Sequence, residues 1–113
     1  MANAFRGEID AWFDGRRRTL RLTLGALAEL ETAFGAGDLV ALAERFQSGR
    51  LSAQDLIKII GAGLRGAGEP IDDESVGRLR HDEGAAGFVR IAADLVRAAF
   101  GGAAANPPSP QES

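Results

Sequence analysis

Gly61-Ala-Gly63-Leu-Arg-Gly66 has the GxGxxG spacing with which a chain can wrap a dinucleotide pyrophosphate. That chemistry needs a strand before the glycines and a helix after them, so that backbone N–H groups and a helix N-terminus converge on phosphate. Here Leu56, Ile59, Ile60, Gly63 and Leu64 recur at helical spacing into the motif, and Pro70 follows within a few residues. The glycines are therefore expected to end a helix and turn the chain. His81, the one histidine, stands in Arg-His-Asp-Glu. A general base needs an orienting partner, and a zinc site needs further Cys or His ligands; the chain has no cysteine. His81 is expected at the surface, near the negative pole of a helix end. Asp72, Asp73 and Glu74 lack the alternating ligand spacing and the glycine of a calcium loop. They read as carboxylates opening a helix, where the dipole favours negative charge.

Arg16, Arg17 and Arg18 form the one basic run, beside Trp12. Basic residues with an aromatic can hold a nucleic-acid strand. They also mark a solvated strand edge protected from further pairing. As a functional patch, Trp12, Arg16, Arg17 and Arg18 fit a protein contact best, because Trp and Arg are enriched among interface hot spots. No Ser/His/Asp set, P-loop or metal cluster remains, so no enzymatic activity, cofactor, metal or small-molecule substrate is expected.

The elements that must position these residues follow from patterning. At 113 residues the chain is expected to be one domain able to bury a core without disulfides. Its net charge of −3 argues against nonspecific nucleic-acid binding. No apolar run approaches the ~20 residues of a membrane span, and MANAFRGEID lacks the apolar core of a signal peptide. A cytoplasmic protein with no membrane association is expected. Met1 to Arg6 reads as a loose lead-in. Glu8 to Phe13 and Arg16 to Leu22 alternate around Asp14-Gly15, the signature of a two-residue hairpin turn. That turn pairs Phe13 with Arg16, Ala11 with Arg18, Ile9 with Leu20 and Glu8 with Arg21. Ile9, Ala11, Leu20 and Leu22 then share the core face, and Asp10, Trp12, Arg17 and Thr19 the other.

From Thr23 onward the period becomes helical. Thr23, Asp38 and Ser52 read as N-caps, the last with Asp55 as a capping box. Leu27, Leu30 and Phe34, with Ala26 and Ala33, are expected to pack inward from the first helix, which stops at Gly35 or Gly37. Leu39, Leu42, Ala43 and Phe46 face inward from the second, which ends at Gly49. A short fourth helix is expected over about Asp73 to Arg80. A fifth runs from Gly84 to Gly101, burying Phe88, Ile91, Ala92, Leu95, Val96 and Ala99, with Arg90 and Asp94 paired on its wet face. The expected fold is mainly α (α+β): an N-terminal two-stranded hairpin and about five short helices in one compact domain over 1–102. Residues 103–113, AAANPPSPQES, form a Pro-rich tail whose composition predicts disorder.

Arg21-Leu-Thr-Leu-Gly-Ala-Leu-Ala-Glu-Leu-Glu, Leu39-Val-Ala-Leu, Glu44-Arg-Phe-Gln-Ser-Gly-Arg50 and Ala62-Gly-Leu-Arg-Gly66 together resemble the small tail protein of gene transfer agents. That family is grouped with the phage tail assembly chaperones and has also been labelled a tail tube protein. The resemblance covers about Arg6 to Phe100 and carries no catalytic signature. It implies a non-enzymatic tail assembly chaperone that binds the tape-measure protein and other tail proteins. A structural tube component stays open, as does a nucleotide- or nucleic-acid-binding regulator. For a tube subunit a larger, many-stranded β-sandwich would be expected.

Overall fold

The computed structural model describes residues 7–101. The lead-in over 1–6 and the whole Pro-rich tail over 103–113, with the expectations for both, lie outside the described residues. Two strands, β1 (Glu8–Phe13) and β2 (Arg16–Arg21), form an antiparallel hairpin in the expected register, Glu8 opposite Arg21 through Phe13 opposite Arg16. Asp14 and Gly15 both have positive φ, 55° and 78°. Such a turn matches the right-handed twist of the strands, and Asp and Gly tolerate it. The turn is tied down from outside: the Asp14 N–H donates to the Arg80 carbonyl (2.9 Å), and the Arg80 N–H donates to Asp14 Oδ1 (3.2 Å).

Five helices follow: α1 (Leu24–Phe34), α2 (Leu39–Gln47), α3 (Ala53–Gly66), α4 (Asp73–Val76) and α5 (Ala85–Val96). Their starts are set locally. The Ala26 N–H donates to Thr23 Oγ1, the Ala41 N–H to Asp38 Oδ1, and Ser52 and Asp55 exchange both bonds of a capping box. Gly35, at φ 68°, closes α1 in the left-handed region that a Cβ disfavours.

α3 is the central element. Ile59 through Leu64 are all buried, an apolar run that encircles the helix. β2, α1, α4 and α5 all pack against it. The core gathers Phe13, Leu20, Leu30, Leu42, Ile59, Ile60, Leu64 and Leu95, all fully buried. Phe13 belongs to it by strand alternation with Ile9 and Ala11; its ring stacks on Phe88 at 5.7 Å.

Several local expectations change. α4 is a single turn ending at Val76, not Arg80. Leu39, expected inward, is substantially exposed, and so is Ala33. α5 passes into a π-helical turn over Arg97–Gly101 in place of continuing as α-helix to the glycine pair. Arg90 pairs with Glu83 and Arg97 with Asp94, so the expected Arg90–Asp94 bridge is replaced by two others. The i,i+4 spacing permits a pair on a helix surface, and nearer or better-oriented partners take it.

Candidate functional site

The glycine motif is helical throughout. All three glycines lie inside α3, and the chain turns only after Gly66. A Cβ on Gly66 would stand 2.0 Å from the Arg21 carbonyl oxygen, and one on Gly63 would stand 2.5 Å from Leu95 Cδ2. These glycines let a strand and a neighbouring helix approach α3 closely. Their N–H groups serve the helix, not a phosphate.

His81 is half-buried rather than a plain surface residue. Its ring meets Phe13 edge-on (6.4 Å) and lies 6.1 Å from Phe88, and its Nδ1 accepts the Glu83 N–H at 2.9 Å. It also fills the space left by Gly87, where a Cβ would sit 2.1 Å from Nδ1. The ring acts as packing and as a local turn acceptor. Asp72 caps α4, its Oδ1 accepting the Ser75 N–H at 2.8 Å, a bond that holds its carboxyl below the usual range. Asp73 turns the other way and joins Glu29 in clasping Arg65, which also donates to the Ile71 carbonyl. Burial alone would lower the Arg65 pKa, but the hydrogen bonds to Glu29 and Asp73 prevail and raise it. The acidic cluster is thus divided between a cap and an ion pair. Among the described residues no three side chains gather as a metal site, and no helix is long and apolar enough to cross a membrane.

The hairpin surface is brought together in part. Trp12 is 57% exposed and lies directly opposite Arg17 on the outer face. Arg16 is exposed beside the turn. Arg18, opposite Ala11 on the inner face, turns in to pair with Glu69, and its Nε has neither solvent nor a partner. Strand alternation separates Arg17 from Arg18, so the run presents two arginines outward and uses the third to fasten the loop after α3.

A second surface was not singled out from the sequence. Between α2 and α5 lies an open groove of about 430 Å³, floored by Phe46, Ala92, Val96 and Phe100 and edged by Leu51 and Val89. Phe46 makes an edge contact with Phe34 at 5.4 Å and a tilted one with Phe100 at 6.4 Å. Arg45 sits over the Phe34 ring while donating to Asp55 and to the Arg50 carbonyl, which fixes the loop forming one wall. The signal for this groove was in α5. At about 100° per residue, its apolar positions run from Ile91 and Leu95 through Phe88 and Ala92 on to Val96, Val89 and Ala93. That arc covers roughly 200°, just over half of the circumference and more than a helix needs to face one core.

The geometry is that of an open apolar groove on one side and a hairpin face carrying exposed Trp12 on another. No curated protein and no solved structure matches this chain. The family described as phage tail tube protein, GTA-gp10, matches residues 6–102, which takes in the hairpin and all five helices. The chain belongs to this family of phage and gene transfer agent tail proteins.

Proposed function

We propose that this protein acts in tail formation by contact with other tail proteins and performs no chemistry, and that it serves as a tail assembly chaperone for the tape-measure protein. The observation that carries this reading is the open apolar groove between α2 and α5, a surface shaped to cover part of another chain. A two-stranded sheet supports it further, since a subunit of a tube wall calls for more strands than this hairpin supplies. The protein would work in the cytoplasm, without nucleic acid or cofactor.

The family's own description favours a second reading, a structural place in the tail tube, and supports it more directly than it supports a chaperone. Two measurements separate them. Co-expression with the tape-measure protein of the same gene cluster is expected to raise the soluble fraction of that protein and to give a co-purifying complex. Quantitative mass spectrometry of purified particles is expected to find this chain absent or far below the tube subunits. Stoichiometric presence in particles, with no effect on tape-measure solubility, would replace the chaperone by the tube component.

A further inference from the structure

We infer that the α2–α5 groove receives an amphipathic helix whose apolar stripe is flanked by carboxylates. This rests on the reading of the protein as a binder of other tail proteins, and it names the surface and the chemistry of that contact. The argument begins with shape. Val89 and Val96 on α5 and Phe100 in the turn after it mark this side over eleven residue steps, a length of about 16 Å at helical rise, or three turns of a partner helix. On α2 the apolar stripe does not stop at the groove. Leu39 and Val40, the latter 68% exposed, precede Ala43 and Phe46 at helical spacing and extend it by a turn. An elongated apolar strip suits a helix with anchors at i, i+3 or i+4, and i+7 better than a compact ligand.

Charge then narrows the occupant. Arg97 is the one ionisable residue among those lining the groove, and its bridge to Asp94 is a solvent-exposed surface pair that leaves the guanidinium open to a further carboxylate. Arg50, exposed between the lining residues Gly49 and Leu51, makes no ion pair among the described residues. Glu44 lies about 100° round α2 from Ala43, on its flank. A second copy presenting the same groove would bring two such cations per face and no lining carboxylate to meet them. Across a two-fold contact like would face like. A helix with Asp or Glu beside its apolar residues meets both requirements.

The test uses the full chain and two labelled designed peptides of eighteen residues. Both carry leucines at i, i+3, i+4 and i+7, one with glutamates flanking the stripe and one with lysines. Fluorescence anisotropy is expected to show saturable binding of the glutamate peptide, weakened by salt, and binding of the lysine peptide on the order of tenfold weaker. Val89→Asp and Ala93→Glu, both at exposed positions, should each weaken binding by about tenfold or more and leave the thermal midpoint near that of the parent. Arg50→Glu with Arg97→Glu should reverse the preference toward the lysine peptide, an effect that loss of folding cannot mimic. Failure of the glutamate peptide to bind, or binding indifferent to Val89→Asp and Ala93→Glu, overturns the assignment. If tape-measure co-purification holds but survives Val89→Asp, the groove is wrong and the chaperone reading stands. If the peptide binds as described while co-purification fails, the groove stands and the chaperone reading falls.

Discussion

Single residues in this protein are best understood by what would happen if a methyl group were added or a charge removed. Gly66→Ala drives a Cβ against the Arg21 carbonyl, backbone against backbone, where neither side yields cheaply. A loss of about 1–3 kcal/mol is expected from overpacking of this kind. Gly25→Ala, in contrast, meets nothing nearer than Thr23 Oγ1 at 3.8 Å and should stabilise α1 by roughly 0.5–1 kcal/mol. Urea titration of the two variants should give shifts of opposite sign. Asp55 offers a second test. Burial alone would raise its pKa, but the Ser52 N–H and the Arg45 guanidinium outweigh burial and hold it below 3.8. With the folded value below the unfolded one, the ionised carboxylate contributes its full stability above about pH 4 and loses it as pH falls through the lower, folded value. Asp55→Asn should therefore be less stable at neutral pH and show a shallower loss of stability on acidification. A parallel pH series of thermal midpoints for the two proteins checks this.

Helices and strands were legible wherever their determinants are local. Asp14-Gly15 needs only its own backbone to make the turn, and Thr23, Asp38 and Ser52 cap the next few N–H groups along the chain. The sequence pattern therefore predicts the hairpin register and the helix starts directly. It does not predict what distant partners decide. Arg18 looks like one of three surface arginines until Glu69, fifty-one residues away, draws it inward. His81 looks like a helix-end residue until Phe13, Phe88 and the bare Gly87 make room for its ring. The Gly61–Gly66 spacing resembles a loop because glycine signals both turns and close packing, and the neighbours that show which are on β2 and α5. Of the candidate patch, alternation correctly places Trp12 with Arg17 on one face; the groove between α2 and α5 needed Val89 and Phe100 to be read as surplus apolar surface. At this scale the hairpin depends on the helices. An isolated two-stranded hairpin is marginal in water, so a peptide of residues 7–22 should give a coil-like circular dichroism spectrum while the intact chain is ordered.

The described residues share one core and one hub. β2, α1, α4 and α5 all lean on α3, and further contacts of β1 with β2 and α5 and of α1 with α2 join the remaining elements to the same core. Unfolding is expected to be cooperative, with far-ultraviolet circular dichroism and calorimetry reporting the same transition and equal van't Hoff and calorimetric enthalpies. A separate early transition would show that the hairpin or the α2 region melts by itself.

Trp12 is the only tryptophan, and the chain contains no tyrosine. Its exposed place on the hairpin makes the intrinsic emission that of a hydrated indole even in the native state. Denaturation should barely move that colour, so tryptophan fluorescence is a poor thermometer of this fold. The same insensitivity makes it a clean optical gauge of docking. A blue shift on adding a tail protein means that the hairpin face has been covered, and complex formation at unchanged emission directs attention to the groove.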